Sequence, residues 1–144
     1  HDEELKLVLV GSDKFFYPRL PKSKYVEVIG EVPNNKIADW YRHAQALVTA
    51  SRMEGFGIPP LEAMSYGTPV AAAQASSLPE ILGEGANWFA PDDAEMLEAI
   101  MIQATDNPSS LKTKCEQALK IANTYNWQNA ARKTLDLYQR FPSL

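Results

Sequence analysis

Five short apolar runs lie between Leu5 and Pro91, the first two joined by the polar, proline-broken SDKFFYPRLPKS and the others separated by helix-like stretches, and that pattern admits few folds. The runs are LKLVLVG (Leu5 to Gly11), YVEVIGEVP (Tyr25 to Pro33), ALVTA (Ala46 to Ala50), PVAAA (Pro69 to Ala73) and NWFAP (Asn87 to Pro91). Strands separated by helices run parallel, and a parallel sheet is covered by helices on both faces. LKLVLVG, mostly apolar and stopped by glycine, reads as a buried strand of that kind. A helix is expected from Asn34 or Asn35, either of which can cap it, to about Ala44, with Ile37, Trp40, Tyr41 and Ala44 on one face. Pro59 suits a first helical position and Gly67 a helix stop. Ser77 and Glu80 stand at capping-box spacing before a short helix.

From Asp92 the pattern is helical only. DDAEMLEAIMIQATD opens with acids and repeats apolar residues at Met96, Leu97, Ile100 and Met101, and Pro108 ends it. LKTKCEQALKIANTY and NWQNAARKTLDLYQRF follow as two further amphipathic helices. The fold class is therefore α/β: a parallel sheet within residues 1–91, with residues 92–144 as helices packing on it.

Composition narrows the function classes. Fourteen Lys and Arg against eighteen Asp and Glu give a formal net charge of −4. That is the wrong sign for a nucleic-acid partner, because phosphate binding wants a basic face. The single cysteine, Cys115, forms no internal disulfide and fits a reducing compartment. No apolar run approaches the roughly 18 residues of a spanning helix, and the opening HDEELK does not read as a signal peptide. Two histidines and one cysteine leave no metal-site spacing. Asp92 and Asp93 read as a helix start, and His43 as a surface residue. No G-x-G-x-x-G follows a strand, which disfavours a dinucleotide-binding domain.

The segment Glu54 to Glu62, EGFGIPPLE, packs two carboxylates, two glycines and two prolines between the third strand and the next helix. In open α/β sheets, ligands bind outside the carboxyl ends of the strands. Glycines let a backbone approach a ligand closely, and a helix start offers unpaired N–H groups to an anion. These nine residues alone also fit a blander reading, with Glu54 a solvated loop acid and Glu62 an acid favourable to the helix dipole.

The longer string from Ser51 to Asp93, SRMEGFGIPPLEAMSYGTPVAAAQASSLPEILGEGANWFAPDD, resembles the donor-binding half of retaining GT-B glycosyltransferases of the family 4 type. Glu54 and Glu62 match that family's two glutamates separated by seven residues. The flanking Ser-x-x-Glu-Gly-Phe-Gly, Gly-Thr-Pro-Val and Ser-Leu-Pro-Glu match as well. The resemblance implies a doubly wound, Rossmann-like C-terminal domain followed by helices. It implies a metal-independent hexosyltransferase with no cofactor, whose donor is a UDP-, GDP- or ADP-sugar and whose acceptor is a saccharide or lipid-linked. Such enzymes act in polysaccharide biosynthesis in the cytoplasm, free or peripheral to the membrane. By resemblance Glu54 is the catalytic-site glutamate that holds hydroxyls of the donor sugar. Glu62 holds the ribose hydroxyls, the backbone N–H groups of Gly55, Phe56, Gly57 and Ile58 face the sugar and diphosphate, and Val32 lies near the base. A nucleotide-sugar-binding module without turnover and a GT-B sugar-nucleotide epimerase are the alternatives.

Two family features are missing. Members carry an Arg and a Lys just after the first strand of this domain; that strand should precede Leu5, and Arg19 and Lys22 are not substitutes. The acceptor-binding first domain is also absent. With the first strand missing, LKLVLVG and ALVTA would each present a bare interior edge, which the remainder of the same enzyme or a companion chain is expected to fill. The chain alone is expected to be inactive.

Overall fold

The computed structural model describes residues 5–11 and 23–141. Arg19 and Lys22 lie outside the described residues. All five expected strands form, each shorter than its apolar run: β1 Leu7–Val10, β2 Val26–Gly30, β3 Leu47–Thr49, β4 Val70–Ala73 and β5 Asn87–Phe89. The helices are α1 Asn34–His43, α2 Ile58–Ser65, α3 Leu78–Leu82, α4 Ala94–Asp106, α5 Lys112–Thr124 and α6 Trp127–Arg140. No helix among the described residues is long and apolar enough to cross a membrane. The chain divides into two compact units, His1–Trp40 and Tyr41–Leu144, with the division inside α1.

In the first unit β1 pairs in parallel with β2, Leu7 opposite Val26, and the register shifts between Leu9 and Val10. β1 is not the buried strand expected: Leu7 and Val10 are 45% and 42% exposed. A two-stranded ladder leaves too much of itself uncovered to bury either face. Nor do the asparagines define the start of α1 from outside, since Asn34 is already inside the helix. The Lys36 N–H donates to the Pro33 carbonyl at 2.8 Å, so backbone closes the first turn.

The second unit is built on β4. All four of its residues are buried, between β3 on one side and β5 on the other, and every pairing is parallel. Helices α2 and α4 both pack on β4. A strand covered twice must keep its side chains small if the helices are to close on it, and Ala71, Ala72 and Ala73 are fully buried. Ala71 and Ala73 form one cluster with Phe89 and Ile100, with Val48 and Leu97 packed against it. The strand's alternation turns Val70 and Ala72 to the opposite face.

Local chemistry sets the ends of these elements. Gly67, at φ 77°, closes α2: its N–H donates to the Met64 carbonyl and the Thr68 N–H to the Ala63 carbonyl, which together satisfy two free carbonyls of the last turn. The Asp93 carboxylate accepts the Met96 N–H at 2.8 Å and caps α4 as the acidic start predicts. The buried Thr68 hydroxyl donates to the Tyr41 carbonyl (2.7 Å) and the buried Asn87 amide to the Val70 carbonyl (3.1 Å). Around Gly85 the packing is so close that a Cβ would fall 2.8 Å from the Ala118 Cα of α5. Helix α6 departs from expectation. It is capped by Asn126 but buries none of its residues, and Trp127, Leu135 and Tyr138 are exposed. Its apolar stripe is real, but nothing among the described residues covers it.

Asp93→Ala should lower stability by about 1 kcal/mol through loss of the α4 cap, read as a shift of the urea midpoint at unchanged slope.

Candidate functional site

Three loops of the second unit leave the carboxyl ends of β3, β4 and β5, and the residues singled out in EGFGIPPLE lie on the first of them and on α2. The loop turns into α2 at Gly57. This residue caps the helix at φ 86° and is buried, and a Cβ there would fall 2.6 Å from Leu78 Cδ2. That conformation favours glycine, and any Cβ there would force Leu78 to shift. Pro59 and Pro60 then set the first turn without needing to donate N–H groups there. Gly55 differs. Its φ lies outside the left-handed region, and a Cβ would meet nothing within 4 Å. The fold does not require a glycine at that position.

Glu54 is half-buried, and among the described residues no side chain or backbone group donates to its carboxylate. Its main chain, by contrast, is held. The Ser77 hydroxyl donates to the Glu54 carbonyl at 2.9 Å and the Ser76 hydroxyl donates to it at 3.0 Å. These serines leave the expected capping box unmade: Ser77 precedes α3 in helical φ and ψ, and its side chain makes no cap bond. Its hydroxyl is drawn across to the neighbouring loop instead.

Glu62 lies on α2 with an exposed side chain. One of its oxygens, Oε2, accepts the Tyr41 hydroxyl at 3.0 Å. Tyr41 is buried, and its ring stacks on Tyr66 at 5.8 Å between centroids, with the Arg42 guanidinium 4.7 Å above the Tyr66 ring. Burial first, and then the bond to Glu62, push the Tyr41 hydroxyl above the ordinary tyrosine range. It therefore stays protonated and donates, leaving Oε1 of Glu62 without a partner among the described residues. Sequence reasoning assigned Tyr41 to an apolar helix face. No spacing rule ties a residue on α1 to a glutamate 21 positions later, so the hydroxyl's role was not visible.

Phe56 and Ile58 are exposed, and Phe56 meets Tyr125 edge-on at 5.6 Å, which links the loop to the turn between α5 and α6. Arg52 pairs with Asp92 across the β3 and β5 loops. Both side chains are largely exposed, so the pair contributes little to stability. An open cleft of about 660 Å³ lies there, lined by Arg52, Ala75, Ala90, Asp92, Asp93 and Glu95. Val32 is half-buried after β2, in the first unit. Among the described residues no group of three or more His, Cys, Asp or Glu is placed to hold a metal ion.

Gly57→Ala should cost more than about 1 kcal/mol, from strain and overpacking together, whereas Gly55→Ala should stay within about 0.5 kcal/mol of the parent in a denaturant titration.

The family described as glycosyl transferases group 1 matches residues 1–123. The O-antigen chain mannosyltransferase B of Escherichia coli is 31% identical over 115 residues, which cover 80% of this chain and 30% of that protein. Among solved structures, the C-terminal domain of a glycosyl transferase group 1 family protein (LpcC) from Francisella tularensis is 28% identical. It has a TM-score of 0.62 and covers 71% of this chain and 54% of that one. Anabaena Alr3699/HepE in complex with UDP superposes with a TM-score of 0.76 at 21% identity, over 97% of this chain and 41% of that one, a likeness of fold. The first curated relatives are matched over only 23% to 36% of their own length.

Proposed function

Since the chain belongs to the glycosyl transferases group 1 family, we propose that it is the donor-binding portion of a retaining glycosyltransferase that moves a hexose from a nucleotide-diphosphate sugar to a saccharide or lipid-linked acceptor. The observation that carries the reading is the pairing of two carboxylates, each with oxygen free to accept, along one loop-and-helix segment at the carboxyl end of a parallel sheet. A nucleotide-sugar carries a ribose diol, two phosphates and a hydroxyl-rich ring. Carboxylates accept hydrogen bonds from paired hydroxyls, worth about 1.5–3 kcal/mol each. Glu62, with one oxygen engaged by Tyr41, takes the ribose. Glu54 takes hydroxyls of the sugar. Between them, Gly55 to Ile58 present backbone N–H groups to the diphosphate ahead of α2. Val32 contributes to the seat of the base.

In the reaction the acceptor hydroxyl bonds to the anomeric carbon from the face on which the bond to the diphosphate breaks, its proton passes to an oxygen of the departing diphosphate, and charge develops on that diphosphate as it leaves. The backbone amides here and basic side chains elsewhere in the enzyme stabilise that charge. Support for a nucleotide donor comes from the complex of HepE with UDP, and support for a hexose from the name of the E. coli mannosyltransferase. Residues 1–91 form the nucleotide-sugar-binding portion and the helices of 92–144 follow it, while the acceptor binds a separate lobe. The same reading has the remainder of the enzyme or a companion chain supply strand pairing to β1 and to β3. Each of these ends a described sheet, carrying a ladder partner on one side only. The chain alone then does not transfer sugar.

Two measurements test this on the full-length protein. Calorimetry should show that Glu62→Ala weakens both the nucleotide diphosphate and the nucleotide sugar. Glu54→Ala should weaken only the sugar nucleotide. Each loss should be about 1.5–3 kcal/mol, roughly tenfold to more than a hundredfold. Equal losses for both ligands in the Glu54 variant would remove the division of roles.

Donor binding should also need no divalent ion, because no carboxylate or histidine cluster among the described residues stands ready to hold one. Excess EDTA should leave transfer largely intact. Full loss on chelation, restored by manganese, would show the phosphates to be neutralised by a metal instead.

A further inference from the structure

Ser76 and Ser77, in the turn between β4 and α3, stand where a helix cap is expected and serve a different element. Ser77 Oγ donates to the Glu54 carbonyl at 2.9 Å. Ser76 Oγ donates to the same carbonyl at 3.0 Å and accepts the Glu54 N–H at 3.3 Å. The Glu54 N–H and carbonyl belong to the two peptide groups flanking its Cα. Holding both fixes the backbone from which the carboxylate projects, the N–H contact being the weaker of the three by length. Ser76 itself lies at φ 53°, the one non-glycine residue in the left-handed region among the described residues. A residue with a Cβ adopts that conformation only where its surroundings enforce it, and such strain gathers at functional sites. Glycine would take the same backbone freely but could not reach Glu54.

We propose that Ser76 and Ser77 are positioning residues: they aim the Glu54 carboxylate, which has no partner of its own among the described residues, at the hydroxyls of the donor sugar. The proposal rests on the reading of Glu54 as the sugar-facing glutamate. Both serine hydroxyls are engaged with the Glu54 main chain. They act through the main chain of Glu54, so their effect should follow that glutamate and no other part of the ligand.

The test is calorimetry on the full-length protein with three matched pairs: UDP-glucose and UDP, GDP-mannose and GDP, ADP-glucose and ADP. The pair that binds the parent is carried forward. Ser76→Gly keeps the turn's backbone and removes the hydroxyl, Ser77→Ala removes the second hydroxyl, and Ser77→Thr retains one. The double variant Ser76→Gly/Ser77→Ala should bind the sugar nucleotide about tenfold more weakly while changing the diphosphate by less than about threefold, and Ser77→Thr should bind near the parent level. In a Glu54→Ala background the same serine substitutions should add less than about twofold, the signature of groups acting through one another. Equal loss for both ligands, or full additivity on Glu54→Ala, would overturn the proposal and leave the serines as general supports of the loop. A Glu54→Ala variant that binds the sugar nucleotide like the parent, or a parent that binds none of the three pairs, would instead bring down the donor reading and this inference with it.

Discussion

The second unit depends on the double burial of β4. A strand with helices on both faces has no solvent-facing side on which to place a large or charged residue, and its ladder must be satisfied on both edges. Three consecutive alanines after Val70 meet the first demand, and the parallel pairings to β3 and β5 meet the second. Because all three strands point the same way, their carboxyl ends emerge together. The loops carrying Arg52 to Gly57, Gln74 to Ser77 and Ala90 to Asp93 are neighbours for that reason alone. The hydrogen bonds from Ser76 and Ser77 to Glu54 and the Arg52–Asp92 pair are local consequences of that arrangement.

A second dependence runs from the backbone to the site. Gly57 accommodates the sharp entry into α2 against Leu78, and the two prolines after it commit the chain to a helix. That entry sets Glu62 within reach of Tyr41. Tyr41 in turn is fixed at its carbonyl by Thr68, at its ring by Tyr66 and at its hydroxyl by Glu62. The Gly-Thr-Pro stretch is thus more than a turn between α2 and β4, since its threonine anchors Tyr41, whose hydroxyl binds Glu62.

The strands were legible in the sequence because each, at three to five residues, sits in a mostly apolar run bounded by turn residues. The stops at Gly67 and the cap at Asp93 were legible because each follows from its own local geometry. Ser77 was misread for the opposite reason. A serine three residues before a glutamate looks the same whether its hydroxyl turns to its own helix or to a neighbouring loop, and only tertiary structure decides between them. Tyr41 shows the same limit, with a hydroxyl whose partner lies on another element. The exposure of β1 and α6 was also invisible, since an apolar pattern states what a segment would bury and says nothing of what is there to cover it. Glu54, Gly55 and Glu62 are conspicuous in the sequence because carboxylates and glycines cluster there at a strand-to-helix junction.

The two glutamates also differ in freedom. Glu62 has one oxygen tied to a buried tyrosine, so on the proposed assignment its side chain would lose little further entropy on taking up a diol. Glu54 has a fixed main chain and a carboxylate that still turns on its own rotamers. On the proposed assignment the nucleotide end of the site is stiff and the sugar end adjustable. Hexoses differ from one another mainly in which way a hydroxyl points, and a carboxylate that can swing accommodates such differences without rebuilding the loop. Change in the sugar used would then need fewer substitutions than change in the nucleotide.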